Sequence, residues 1–219
     1  MTETTNAIPT IPKIGDRAPD FQASSSKGPL SLKDYKGKWV VLFSHPADFT
    51  PVCTTEFIEF AKRYEEFEKR NAQLIGLSID SVYSHIAWLL QMEKMYEVEV
   101  KFPVIADLNM NVANLYGLIH ERASATSTVR AVFFIDPEGV VRALIYYPAS
   151  TGRNIDEILR VLDSLTYVDS FMIATPANWN VGDDVIVPQP ATLNAAKERL
   201  KDKNLNVKDW FLAIKKSPK

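Results

Sequence analysis

The chain has 219 residues, 46% of them hydrophobic and 24% charged, and a formal charge of −2. That is the composition of an ordinary soluble globular protein with room for one domain and a small second one, and its charge balance argues against a dedicated nucleic-acid binder. No stretch approaches the ~18 apolar residues of a membrane span. Residues 1–7 show no basic region followed by an apolar one, so a secretory signal is not expected and a reducing cytoplasm is.

No internal repeat or low-complexity tract is present. Residues 8–38 scatter Pro, Gly, Lys and Ser around short apolar beats at Phe21 and at Leu30 and Leu32, which predicts an opening segment of short strands. From Trp39 the pattern becomes regular. Residues 39–44 form a continuous apolar run, as for a strand buried on both faces. Residues 54–70 place Phe57, Phe60, Ala61, Tyr64 and Phe67 at helical spacing with charges between them. A strand over 73–79, a helix over 83–96, a short strand over 102–106 and a helix near 111–116 follow. Two β-rich runs, 129–135 and 140–147, are joined by Asp136-Pro137-Glu138-Gly139, which reads as a hairpin connection. Residues 154–165 are helical, with Ile155, Ile158, Leu159 and Leu162 on one face.

The order β-α-β-α-β-α-β-β-α is an α/β layer design with parallel strands first and an antiparallel hairpin after. Within that class a thioredoxin-like core over residues 1–165 is expected. After about residue 166 the texture changes. Trp179 sits between two asparagines, Val187-Pro188-Gln189-Pro190 is a stiff connector, and 191–203 reads as a short helix. Residues 166–219 are read as a small C-terminal extension subdomain, too short and Pro-broken for a robust core of its own, that packs on the core or on a partner subunit.

The chain owns one cysteine, Cys53, so no internal disulfide is available to it. By type alone a free cysteine is most often small buried filling. The context argues otherwise, because Asp48, Thr50, Thr54, Thr55 and Glu56 surround it after a Pro-Ala-Asp-Phe-Thr-Pro turn. Cys53 falls at or next to the first turn of the predicted helix. Backbone N–H groups there lack intrahelical partners and carry the positive dipole end, which favours thiolate over thiol.

The run Pro46-x-x-x-Thr50-x-x-Cys53 resembles the active-site motif of the peroxiredoxins. The longer string from Phe43 to Glu56 is similar to their one-cysteine subclass, and the resemblance extends over roughly 12–165 with an extension of the subclass's kind behind it. It implies a thiol-dependent peroxidase acting on hydrogen peroxide and organic hydroperoxides, with no cofactor and no metal. A thiolate attacks one peroxide oxygen while the other leaves with negative charge, and a helix start and a nearby cation serve both needs. Pro46 and Thr50 belong to the site by the same resemblance. Pro46 shapes the loop and shields the thiolate, or simply ends the strand. Thr50 places its hydroxyl beside the sulfur or the peroxide, or caps the helix.

The segment Thr128-Val129-Arg130 is similar to the one whose arginine contacts the catalytic sulfur; the alternative is a strand-end arginine reaching solvent. Arg153 resembles a second arginine of the subclass's site, or is a plain loop charge. Glu56 orients one of the guanidiniums as a bidentate partner, or serves the helix dipole. His45, at the strand's end before Pro46, resembles a histidine near the catalytic cysteine, and packing is its other reading. His85 and His120 read as structural or surface groups.

Three departures from the family pattern matter. Gly37-Lys38-Trp39-Val40-Val41 stands where some one-cysteine relatives carry a Gly-x-Ser-x-Gly site, so no serine-based lipase activity is expected. The residues 207–213 contain no further cysteine, and Cys53-Thr54-Thr55-Glu56 is not a Cys-x-x-Cys pair. A sulfenic acid on Cys53 therefore needs an external thiol, or a disulfide to a second Cys53, and overoxidation is its other fate. The competing use of the same cysteine is a redox-regulated chaperone or a peroxide sensor. Residues 197–219 hold eight basic and three acidic side chains, which reads as a solvated tail rather than a nucleic-acid surface. Residues 141–147 are apolar on both alternations, and an edge strand of that kind invites pairing with another chain. The resemblance implies a homodimer, or five dimers assembled into a decamer.

Overall fold

The computed structural model describes residues 11–218, so the expectation about residues 1–7 lies outside it. The chain divides into two compact units, Met1–Ile155 and Asp156–Lys219.

The first unit is built on a seven-stranded sheet. Its strands in chain order are β1 (Gln22–Ser25), β2 (Gly28–Ser31), β3 (Trp39–Ser44), β4 (Ala72–Ser78), β5 (Val104–Ala106), β6 (Arg130–Ile135) and β7 (Val141–Tyr147), and across the sheet they lie β2-β1-β5-β4-β3-β6-β7. β3, β4 and β5 pair in parallel, while β6 runs antiparallel to β3 and β7 antiparallel to β6. Among the described residues, a 3-10 turn (Leu32–Tyr35) and four α-helices accompany them: α1 (Pro51–Lys62), α2 (Tyr64–Glu68), α3 (Val82–Tyr96) and α4 (Asn111–Leu115). This is the α/β order expected from the hydrophobic pattern.

β3 and β6 are buried along their whole length because the sheet is covered on both faces. Strand alternation sends Val40 and Leu42 of β3 and Ala131, Phe133 and Ile135 of β6 into one core with Ile75, Leu77, Tyr116 and Leu118. On the other alternation, Phe43 stacks on Phe60 at 4.2 Å and meets Phe57 and Phe102 edge-on at 5.5 and 5.6 Å. Arg130 is two residues from Val132 on that second alternation, so the pleat directs it toward the α1 side of the sheet.

The helix expected over 54–70 differs at both ends and in the middle. It begins three residues earlier, because Pro51 can occupy the first helical position without forfeiting a needed N–H. It also breaks at Arg63 (φ −104°, ψ 10°), after which α2 resumes with Tyr64 and Phe67 still buried. The helical spacing of the apolar residues survives the break, which is why the sequence alone does not show it.

The second unit holds most of α5 (Ile155–Phe171), β8 (Val185–Val187), α6 (Leu193–Arg199), β9 (Asn206–Asp209) and β10 (Leu212–Lys215). α5 runs six residues past the expected end at 165. The three strands form an antiparallel sheet in the order β8-β10-β9, which the sequence reading lacks. The unit also has a small core of its own, in which Ile173, Trp179 and Val185 are packed by Tyr167 and Phe171. Trp179 donates from Nε1 to the Asp183 carbonyl at 3.2 Å, so its ring is buried with its polar atom satisfied.

Candidate active site

The parallel strand β3 delivers the chain into the loop 45–50 and from there into α1. Thr50 is the residue before the helix, in extended conformation (φ −106°, ψ 147°). Its hydroxyl does not cap α1; it donates to the Ala47 carbonyl at 2.8 Å and closes the loop on itself. Thr54 N–H donates to the Thr50 carbonyl at 3.0 Å as the first intrahelical bond. Cys53 therefore stands in the opening turn, ahead of that bond, at the positive end of the helix. Pro46 is half-buried at the bend that turns the chain away from β3.

Cys53 is fully buried, and Arg130 is its charged neighbour. Nη1 of Arg130 donates to Sγ of Cys53 at 3.3 Å and to Oε2 of Glu56 at 2.7 Å. The rest of that guanidinium is anchored on the Ala149 carbonyl, which accepts from Nε at 3.0 Å and from Nη2 at 2.8 Å. Glu56, one turn behind Cys53 on α1, also takes Arg153 as a two-pronged partner. Nε reaches Oε1 at 2.9 Å, Nη2 reaches Oε2 at 2.6 Å, and the Arg153 backbone N–H adds a third bond to Oε1 at 2.8 Å. Nη1 of Arg153 serves the Ser44 and Ala131 carbonyls at 2.9 and 3.1 Å, and its guanidinium carbon lies 5.1 Å from the Phe43 ring centre. The structure thus brings Cys53, Glu56, Arg130 and Arg153 into one buried set.

The charges in this set decide what it does. Glu56, Arg130 and Arg153 are 3%, 2% and 7% exposed and sum to one positive charge. That net positive charge lies against Sγ of Cys53, where it can meet a developing negative charge. Burial pushes the Glu56 carboxyl up, but the charge and hydrogen bonds of Arg153, and then the charge of Arg130, outweigh it and hold Glu56 below the ordinary range. Glu56 accordingly stays ionised and keeps both guanidiniums in place.

His45 is fully buried but bonds away from Cys53. Its Nε2 lies 2.9 Å from Oδ1 of Asp48, while its Nδ1 has no hydrogen-bond partner. Asp48 Oδ2 lies 2.8 Å from Nδ1 of His85, whose Nε2 lies 3.0 Å from the Ile105 carbonyl oxygen. Among the described residues, His45, Asp48 and His85 are the group with metal-ligand chemistry, but their ligand atoms already engage one another at hydrogen-bond lengths. Sequence reasoning had no signal for this cluster. Asp48 and His85 stand 37 residues apart on a loop and a helix, and each is unremarkable in its own surroundings.

Comparison with known proteins places this geometry. The AhpC/TSA family matches residues 14–144, and the C-terminal domain of 1-Cys peroxiredoxin matches residues 164–203. A peroxiredoxin of Methanosarcina mazei is 53% identical over 94% of this chain and 98% of its own length. One from Aquifex aeolicus is 50% identical over 95% and 99%. Among solved structures, a yeast mitochondrial 1-Cys peroxiredoxin, described with a thiol resolving mechanism via glutathione/thioredoxin systems, superposes with a TM-score of 0.84 at 42% identity, covering 94% of this chain and 99% of that one. Peroxiredoxin 6 of Arenicola marina, as a cysteine-to-serine variant, gives the same TM-score and coverage at 37% identity. The fold is the thioredoxin-like one of these proteins with its C-terminal extension. With its lone cysteine in the Pro-Thr-Cys motif and matches at about half identity over nearly its full length, the chain belongs to the peroxiredoxins, in their one-cysteine branch.

Proposed function

We propose that Cys53 is the peroxidatic residue of a thiol-dependent peroxidase that reduces hydrogen peroxide and organic hydroperoxides. The observation that carries this reading is the 3.3 Å contact from Arg130 Nη1 to Sγ, at a helix start, with the guanidinium itself fixed by Glu56 and Ala149. The cation stabilises the attacking thiolate and then the charge that develops on the leaving oxygen. Arg153 and Glu56 hold that cation in register. Thr50 has its own proton engaged by Ala47, so its oxygen lone pairs are what it offers a peroxide O–H. Pro46 shapes the bend that shields the sulfur, and His45 supports the loop from beneath.

With one cysteine in the chain, the sulfenic acid is recycled by an external thiol, and the glutathione and thioredoxin systems named for the yeast relative are the reductants to try first. Among the described residues no helix is long and apolar enough to cross a membrane, and we place the protein in the cytoplasm, where such thiols are abundant. β7 is an edge strand of the large sheet and only half-buried along most of its length. Pairing of this edge with a second copy supports a homodimer, and dimers in turn a decamer. The extension 166–219 is the second surface proposed to meet a partner subunit.

The family match and the assembled guanidinium frame favour turnover over a chaperone or sensor role. Steady-state peroxide consumption tests this. Turnover is expected only when a thiol reductant is supplied, and a protein that reacts once but never turns over with any small thiol or thioredoxin-type dithiol would contradict it.

A further inference from the structure

The opening turn of α1 has no cap of the ordinary kind. Thr50 stands at the capping position, but its hydroxyl is engaged by the Ala47 carbonyl, so its side chain does not cap the helix. Pro51, the first helical residue, brings no N–H. The turn is closed from its other end, by Thr54. Both the backbone N–H of Thr54 and its hydroxyl donate to the Thr50 carbonyl, at 3.0 and 2.8 Å. The same hydroxyl accepts Nε1–H of Trp88 on α3 at 3.3 Å. Chemistry fixes these directions. An indole N–H can only donate and a carbonyl can only accept, so the one hydroxyl proton of Thr54 goes to Thr50 and a lone pair to Trp88. Pro51, Val52 and Cys53 are the residues enclosed by that turn.

We propose that Thr54 and Trp88 are positioning residues of the peroxidase reaction: the Trp88 N–H holds the Thr54 hydroxyl, which locks the opening turn of α1 onto the Thr50 carbonyl and so keeps Sγ of Cys53 in register with Nη1 of Arg130. The inference rests on the reading of Cys53 as the peroxidatic residue. In that reaction the sulfur bonds to one peroxide oxygen as the O–O bond breaks. The sulfur loses two electrons, the peroxide gains them, and the second oxygen departs as water or alcohol after taking a proton. Nucleophile and cation have to meet the same peroxide, and a misplacement of about 1 Å costs on the order of 10²-fold in rate. Arg130 is fixed from the sheet side by Glu56 and the Ala149 carbonyl. The chain of bonds from Trp88 through Thr54 to Thr50 fixes the sulfur from the helix side.

α3 is a firm element to hold from. Its start is capped by Ser81, whose hydroxyl accepts the Ser84 N–H at 3.2 Å. One turn before Trp88, and so on the same face, His85 lies 3.0 Å from the Ile105 carbonyl oxygen of β5. The Trp88 ring is buried, stacks on His45 at 5.4 Å and lies 4.7 Å from the Phe57 ring centre. Packing thus sets the indole plane, and a buried N–H that loses its acceptor is left unpaired. Thr55 supplies the internal comparison. Its hydroxyl makes a bond of the same local kind, to the Val52 carbonyl at 2.7 Å, but that bond stays within α1 and the side chain is exposed. What sets Thr54 apart is the tie to α3.

The test is a double-mutant cycle on the reduced full-length chain, read as the second-order rate with hydrogen peroxide and as the thermal unfolding midpoint. Rates are taken well below every midpoint, where lost stability alone leaves them unmoved. Thr54→Val keeps the shape and removes the hydroxyl. It is expected to lower the rate by about tenfold or more, whereas Thr54→Ser, which keeps the hydroxyl, holds most of the parent rate. Trp88→Phe keeps a ring and removes the N–H, and it costs less, because Thr54 still closes on Thr50. In the Thr54→Val background the acceptor is already gone. There Trp88→Phe is expected to lower the rate no further and to take less from the midpoint than it does in the parent. Thr55→Val stays close to the parent rate. A folded Thr54→Val or Trp88→Phe with the full rate overturns the proposal, as do a Thr54→Ser or Thr55→Val as slow as Thr54→Val, and strictly additive effects in the cycle. If Thr54→Val does not fold, the double variant, which leaves no N–H unpaired, is compared with Trp88→Phe, and equal rates for those two overturn the proposal. Equal peroxide consumption by Cys53→Ser would instead remove the underlying peroxidase reading, and the midpoints report separately on the Trp88–Thr54 bond.

Discussion

Replacing Arg130 by glutamine removes the cation while keeping a side chain of similar reach. At the observed 3.3 Å from Sγ, two unit charges interact by roughly 5 kcal/mol at an effective dielectric of about 20. Glu56, 2.7 Å from the same nitrogen, cancels part of that field, so the loss should settle near the cost of deleting one donor from an oxyanion site. That is about 3–4 kcal/mol, or roughly 10²–10³-fold in rate. The fold should survive, because Glu56 keeps three bonds from Arg153. Arg130→Lys should recover only part of the rate. An ammonium keeps the charge but lacks the planar fork with which Arg130 holds Ala149 while reaching Glu56 and Cys53. The assay is stopped-flow reaction of the reduced protein with peroxide over a range of concentrations, with circular dichroism to show that the variant is folded. A folded Arg130→Gln within about threefold of the parent rate would refute the electrostatic account.

Other consequences follow from the same contacts. Glu56→Gln leaves two buried guanidiniums short of their counter-charge and should cost about 3–5 kcal/mol in urea unfolding, a large share of the roughly 5–15 kcal/mol that holds a typical domain together. Glu56 and Asp48 both hold their protons less tightly folded than unfolded, from ordinary values of 4.5 and 3.8. Their contribution is therefore complete above those values and is lost as pH falls through the lower folded ones. Glu56→Gln should flatten this acid limb in pH-dependent thermal unfolding, and an unchanged limb would count against Glu56 as its source. Phe43→Ala, at the centre of the aromatic cluster and against Arg153, should destabilise by about 3–5 kcal/mol in the same unfolding assay.

The sequence carried the site's nucleophile more clearly than its supports. Cys53 was marked by polar neighbours, by the strand before it and by its place at a helix start, all local signals. Arg130 and Arg153 were nameable only through resemblance, because nothing in their own surroundings says that a strand-end and a loop arginine meet on Glu56, 74 and 97 residues away. Asp48 stands out in the sequence only as a polar neighbour of Cys53, and His85 reads as a structural or surface group, since a buried contact between a loop and a helix leaves no periodicity. Thr50 was located, but its hydroxyl turns to Ala47 rather than to the helix it precedes. In the fold, the long apolar runs were legible to within a residue or two. The break at Arg63 was hidden because Tyr64 and Phe67 keep the helical spacing. The strands of the extension were missed for a different reason. They are only three or four residues long, and Asn206–Asp209 carries a single apolar residue, Val207.

The central claim is that Cys53 itself reduces peroxide, and a single-turnover experiment reaches it most directly. The reduced chain receives one equivalent of hydrogen peroxide without any thiol, and both peroxide loss and the mass of the Cys53 peptide are followed alongside Cys53→Ser. The account predicts that the parent protein consumes the peroxide with one oxygen atom gained at Cys53, or with a disulfide between two Cys53 residues, while Cys53→Ser leaves the peroxide untouched. Equal consumption by the two proteins, or consumption with Cys53 unmodified, would contradict it.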